Sequence, residues 1–374
     1  MKICRVTQAI YPYVIGGSPT HCHELSNNQS TDHSSVLVLT VRRNNQIDSP
    51  TVNYDLKQFG WMRMPWDVAG MENPITPGLW WHLLRTDYDV LHAHSHLFFT
   101  SALALITNKM KGKPSVLTIH GVRAVRQSSV NLFQELWMQL VARYLFKLTD
   151  RIICLTPADA HEISHYGVPP EKIQLIPNGI DTTLFHPQDT HDGYLLWVGR
   201  FVEEKGLRYL VDAIQQLTPT NPNLRVVLVG DGPLRPHIIN QIHTKGLDQH
   251  FELHRNCSQR EIAALMRNCT AFVLPSLQEG FPKSLLEAMA CARPVITTSS
   301  LTDIVGDAGI TIPPKSVEAL SQAILTVLTN PATQHTAGLQ GRHYVETKWS
   351  WPIVTDQTNR LYQTIVQGAH HDDL

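Results

Sequence analysis

From residue 194 onward two patterns alternate. YLLWVGR, RVVLVGDG, FELHRN, TAFVLPS, RPVITT and GITIPP are short apolar runs, and helical patterns lie between most of them. Leu207, Leu210, Val211, Ile214 and Leu217 recur with helical spacing directly behind Gly206, which predicts a helix with one buried face. Ser258 and Glu261, ahead of Ile262, Leu265 and Met266, predict a capping box in which each side chain bonds the other's backbone N–H. Strands apolar on both faces, alternating with helices, predict a parallel sheet covered on both sides.

The first half follows the same pattern more loosely. KICRVTQ, SVLVLTV, DVLHAHS, PSVLTIHG, DRIICLT and IQLIPNG read as strands, whereas FGWMRMPWDVAGMENPITPGLWWHLL follows no simple period. A polar stretch with Pro and Gly, TTLFHPQDTHDG at 182–193, reads as the linker. The expectation is an α/β chain of two doubly wound, Rossmann-like parallel-sheet domains, 1–185 and 186–351. Ligands of such sheets bind beyond the carboxyl ends of the strands. Two domains facing each other would thus form a cleft, and the residues just after each strand are the ones to read.

Composition narrows the class. At 374 residues the chain is long for one core, which agrees with two domains. The formal net charge of −1 offers no field for nucleic acid. The six Cys form no C-x-x-C and no zinc-ligand spacing, which suits a reducing cytoplasm. The N-terminus has no signal-peptide pattern, and no apolar run reaches the roughly 20 residues that span a bilayer. A peripheral membrane contact stays open.

The candidate chemistry follows the strands. Gly16 and Gly17 follow the first strand, where a bare backbone lets a ligand approach closely; a plain turn is the simpler reading of the pair alone. GDGPLR, at 230–235, lacks the third glycine of a dinucleotide fingerprint. GRFVEEKG, 199–206, sets Gly199, Arg200 and Lys205 before a helix start. Two cations there suit a diphosphate, and a solvated loop beside Glu203 and Glu204 fits equally. In PSLQEGFPKSLLEAMACARPVI, 275–296, Glu279 precedes a turn and Glu287 lies inside a helix. Pro282 suits the first turn, and the free N–H groups around Phe281 to Leu285 would receive an anion. Glu287 can accept from two ribose hydroxyls and Glu279 from those of an attached sugar, since a carboxylate holds several donors. His92, His94 and His96 alternate, so on a strand they face one side; no carboxylate or thiol completes a metal site there. His120 ends the next strand.

Together these residues resemble glycosyltransferase family 4, the sugar-nucleotide-dependent retaining transferases with two Rossmann-like domains. The resemblance runs over nearly the whole chain: Gly16-Gly17, DVLHAHS, TIHG, DRIICLT, IPNGID, VGRFVEEKG, VGDGP and EGFPKSLLE followed by AMACARPVI. It implies that Arg200 and Lys205 hold the donor diphosphate, Glu287 the ribose and Glu279 the transferred sugar. His120 would lie near the sugar's reacting end. Gly199, Gly280, Phe281, Pro282, Lys283, Ser284 and Leu285 would complete the donor site. It also implies a final helix, about 352–374, crossing back to the first domain. Ala292 stands where the family usually has Gly, and Asp303 where Glu is common.

The implied reaction is transfer of a hexosyl group from a UDP- or GDP-sugar to a hydroxyl of a sugar or lipid-linked acceptor, in glycan, glycolipid or polysaccharide synthesis. With protein cations on the diphosphate, neither metal nor cofactor is required. A 2-epimerase on the same double fold lacks a pattern for its acid–base residues here. A catalytically dead binding subunit sits poorly with intact Glu279, Arg200, Lys205 and Glu287, and no pyridoxal-lysine context suggests a phosphorylase. Trp61, Trp66, Trp80, Trp81 and Met71 enrich the acceptor side in aromatics. The helix at 132–148 mixes Trp137, Leu140, Tyr144 and Phe146 with Arg143 and Lys147. Core packing accounts for such a stripe; a membrane-surface acceptor is the other reading.

Overall fold

The computed structural model describes residues 1–13, 17–31, 34–42, 52–62, 75–122, 136–188, 192–277, 279 and 281–371. Gly16, Gly280, Trp66 and Met71 lie outside them. The chain forms two compact units, Met1–Gly179 with Trp351–Leu374, and Ile180–Ser350. The break falls at 179/180 rather than the expected 185/186. Ile180 N donates to Trp349 O at 2.7 Å, and Phe185 is buried in the second core, so this stretch belongs to the second unit.

The first unit holds a parallel sheet of β1 (Lys2–Val6), β2 (Ser35–Val41), β3 (Asp55–Phe59), β4 (Val90–His94), β5 (Ser115–Ile119), β6 (Arg151–Cys154) and β7 (Ile173–Leu175), in the order β3-β2-β1-β4-β5-β6-β7. The apolar runs form its centre: every residue of β4 and β5 is buried, as strands covered on both faces must be. Helices α1 (Gly17–Thr31), α2 (Pro77–Arg85), α3 (Phe99–Lys111) and α4 (Arg143–Leu148) cover it. Leu79, Leu83, Leu105, Leu145 and Phe146 pack one face. Cys22 and Leu25 of α1 pack the other, with Val354, Leu361 and Tyr362 of the final helix (Trp351–His371). A fully buried Arg5 ties these together, donating to Ser26 Oγ at 2.6 Å and Tyr362 Oη at 3.2 Å. The return of the tail to the first unit is thus built on core contacts.

The second unit holds β8 (Tyr194–Val198), β9 (Arg225–Val229), β10 (Phe251–His254), β11 (Ala271–Leu274), β12 (Val295–Thr298) and β13 (Gly309–Ile312), all parallel, in the order β10-β9-β8-β11-β12-β13. Helix α5 (Leu207–Leu217) buries the five residues of the predicted stripe and Ala213; each large aliphatic contributes about 1.5–3 kcal/mol. The capping box opens α6 (Gln259–Asn268): Ser258 N donates to Glu261 Oε2 at 2.7 Å, and Glu261 N to Ser258 Oγ at 3.3 Å. Beyond α7 (Lys283–Ala290), Ala292 adopts φ +52°, a left-handed conformation that glycine enters freely. Ala292→Gly should raise the thermal midpoint of this unit by about 1–3 °C. Relief of roughly 1–2 kcal/mol of strain outweighs about 0.5–1 kcal/mol of added chain entropy. A lower midpoint in scanning calorimetry would show that the turn carries no such strain.

Candidate active site

Sheet order explains how two distant segments meet. β8 and β11 are neighbours, Ala271 pairing with Leu195 and Phe272 with Leu196, so the loops after their carboxyl ends lie side by side. Leu277 N donates to Glu204 O at 2.7 Å, fastening one loop to the other. Gly206, at φ +65°, allows the approach: a Cβ there would stand 2.0 Å from the Pro275 carbonyl oxygen. From the other side Thr298 Oγ1 donates to Ser276 O at 2.7 Å.

Within this junction Lys205 Nζ lies 2.5 Å from Glu279 Oε1, their side chains 18% and 8% exposed. Ser276 Oγ donates to the same oxygen at 2.6 Å. An ammonium has three donors and a carboxylate several lone pairs, so each partner keeps capacity for a ligand. The Arg200 side chain is exposed and carries no hydrogen bond or ion pair among the described residues. Gly199 packs against Trp197, whose ring a Cβ would meet at 3.2 Å.

On α7, Glu287 is buried, and burial raises its carboxyl above the usual range while Lys283 pulls it partly back. The Lys283 ammonium stands 3.2 Å from Oε1 and pairs with it across one helical turn. A carboxylate holds several donors, so Glu287 keeps acceptor capacity beyond Lys283, and sugar hydroxyls are donors of the right kind. The turn before α7 is tighter than expected. Lys283 N donates to Phe281 O and Leu285 N to Pro282 O, each at 3.0 Å, so those two groups are not free for an anion. Ser284 is half-buried in the first turn, with Pro282 and Leu285 buried beside it.

The histidines sort differently from their spacing. His92 and His94 stack with ring centroids 4.3 Å apart on one side of β4. Ser95, at φ +66°, ends the alternation, and His96 packs on Phe146 instead, with Nε2 3.1 Å from the Val122 carbonyl. His94 meets His120, Nδ1 to Nε2, at 3.0 Å, and His21 of α1 closes a triad whose ligand atoms all lie within 4.8 Å of one another. His21 Nδ1 contacts Asn178 Oδ1 at 2.6 Å. Since that amide oxygen only accepts, His21 donates there from Nδ1. Burial holds His94 and His120 well below the usual imidazole range, so both are neutral at pH 7. The triad is the one group of such side chains among the described residues that could hold a metal ion, although His94 and His120 already satisfy each other's facing nitrogens. Gly17 opens α1 in this unit with open space at its Cα.

His21 and Ser276 were not singled out by sequence. Both had a signal: His21 falls one helical turn after Gly17, and Ser276 stands three residues before Glu279, the spacing of a capping box.

Two family models match the chain, "Glycosyltransferase Family 4" over residues 15–184 and "Glycosyl transferases group 1" over 192–330. A glycogen synthase of Mycobacterium tuberculosis is 28% identical over 98% of this chain and 96% of its own length. An uncharacterized glycosyltransferase of Methanocaldococcus jannaschii is 30% identical over 73% of this chain and 75% of its own. Among solved structures, HepE of Anabaena in complex with UDP superposes with a TM-score of 0.74 at 18% identity, over 97% of this chain and all of that one.

Proposed function

The chain belongs to glycosyltransferase family 4, and from that premise we propose that it moves a hexosyl group from a UDP- or GDP-sugar to a hydroxyl acceptor with retention at the anomeric carbon. Glycosyl transfer is what its relatives are named for, a glycogen synthase among them, which supports a role in glycan or polysaccharide synthesis. The observation that carries the finer reading is the junction at β8 and β11, where Lys205 meets Glu279, with the buried Glu287 on α7 in the same unit. The neighbour solved with UDP supports a uridine donor.

In this reading the diphosphate lies against Lys205 and Arg200. As the bond from anomeric carbon to phosphate oxygen breaks, the leaving nucleotide gathers negative charge, and fixed cations lower that barrier. Lys205 keeps Glu279 while it takes the phosphate, so the acid holding the sugar's hydroxyls is tied to the cation holding its leaving group. Glu287 accepts from the ribose hydroxyls, and His120 serves the acceptor side. Incubation with a panel of nucleotide sugars and mass analysis of products tests this. Nucleotide released only with an acceptor supports transfer, whereas a 2-epimer or binding without turnover would overturn it.

Transfer should also survive excess chelator, because two protein cations meet the diphosphate. Loss restored by Mg²⁺ or Mn²⁺ would mean that a metal holds the diphosphate. Loss restored by Zn²⁺ would make the His21–His94–His120 triad a metal centre.

A further inference from the structure

Helices α2, α3 and the helix at 136–148 that contains α4 lie side by side on one face of the first sheet. Their inner residues enter one core; their outer residues are unusual. α2 exposes Trp80 at 39% and Trp81 at 52%, and α3 exposes Ile106 at 43% and Met110 at 71%. The third helix exposes Leu136 at 53%, Leu140 at 63% and Tyr144 at 53%. These are seven of the eleven large hydrophobics exposed among the described residues, gathered on one layer instead of scattered as on an ordinary surface.

The charge of the layer is equally one-sided. Residues 77–85, 99–111 and 136–148 contain no Asp or Glu, in a chain with 32 of them against 31 Lys and Arg. Exposed cations stand among the apolar side chains: Arg85, whose guanidinium lies 4.0 Å over the Trp81 ring, with Lys109, Arg143 and Lys147. Trp, Tyr and long cationic side chains interleaved with aliphatics suit the boundary between lipid headgroups and acyl chains. No helix among the described residues is long and apolar enough to cross a membrane, so such a layer would lie on a bilayer rather than span it.

We propose that the α2–α3–α4 face of the first unit docks on the surface of an anionic lipid bilayer. A second copy of the chain is a poorer occupant. A two-fold contact through this face would set cation against cation with no acid among the described residues 77–85, 99–111 and 136–148 to pair them. The anionic headgroup supplies the missing charge. This inference does not rest on the reaction assigned above, and its test needs neither donor nor acceptor.

The test is cosedimentation of the full chain with vesicles of phosphatidylcholine, with and without phosphatidylglycerol. Binding should require the anionic lipid, fall as salt is added, and shift tryptophan emission to the blue. Arg143→Gln should weaken it about fivefold. Met110→Glu with Leu140→Glu should weaken it at least tenfold, while circular dichroism and the thermal midpoint stay as in the wild type, since both side chains are exposed. Equal binding to both vesicles, or to neither, would overturn the proposal. So would a wild-type dimer in light scattering that the double variant splits into monomers without any vesicle binding, which would make the face a protein interface.

Discussion

Lys205→Ala should lower kcat/KM for transfer by roughly 10²–10³, about 2.7–4 kcal/mol of transition-state stabilisation, by analogy with removal of one preorganised oxyanion donor. The effect has two parts. The ammonium that meets the departing diphosphate is gone, and Glu279 loses the cation 2.5 Å from its Oε1. A carboxylate 8% exposed would keep the Ser276 hydroxyl as its donor among the described residues. Glu279→Gln on the Lys205→Ala background should cost little more, because the two residues act as a pair. Glu287→Gln should weaken free nucleotide in calorimetric titration, whereas Glu279→Gln should spare it and lose transfer. Near-normal turnover by Lys205→Ala would take the diphosphate away from this junction.

That ion pair shows where sequence reasoning stops. Strands such as RVVLVGDG and TAFVLPS are legible because full burial needs apolar residues on both faces, and α5 because its stripe has one period. The contact between Lys205 and Glu279 depends on strand order. β11 lies beside β8 though β9 and β10 intervene in the chain, and no periodicity encodes that neighbour. The histidines fail for a local reason, since one left-handed residue, Ser95, turns His96 to the opposite face of the sheet. The stripe at 132–148 fails for another. A π-helical turn, Met138–Ala142, inserts an extra residue per turn and rotates the buried face. Trp137 and Phe146 go inward, while Leu140 and Tyr144, expected with them, are exposed. Phe133 of that stretch lies outside the described residues.

Acidification from pH 7.5 to pH 5 should destabilise the first unit selectively. Burial pushes His96 down to about 4 and holds His92, His94 and His120 well below the usual range. In the unfolded chain all four would take up protons near pH 6.5. Between those limits the unfolded state binds more protons than the folded one, so stability is fully present above about pH 6.5 and drains away as pH falls. His96 alone accounts for about 2 kcal/mol at pH 5, and the other three act with the same sign. Against a total of roughly 5–15 kcal/mol for an ordinary domain, that is a large share. The midpoint of the first unit in scanning calorimetry should drop by about 10 °C or more. In the second unit Glu287 works in the opposite direction: its raised pKa favours the folded state at low pH and costs stability as pH rises through it. His96→Gln isolates the cause, because its amide can still donate to the Val122 carbonyl but cannot titrate. This variant should lose about 2 kcal/mol less than the wild type over the same pH interval. If the two proteins fall in parallel, or the first transition holds steady down to pH 5, buried neutral histidines are not what limits this unit in acid.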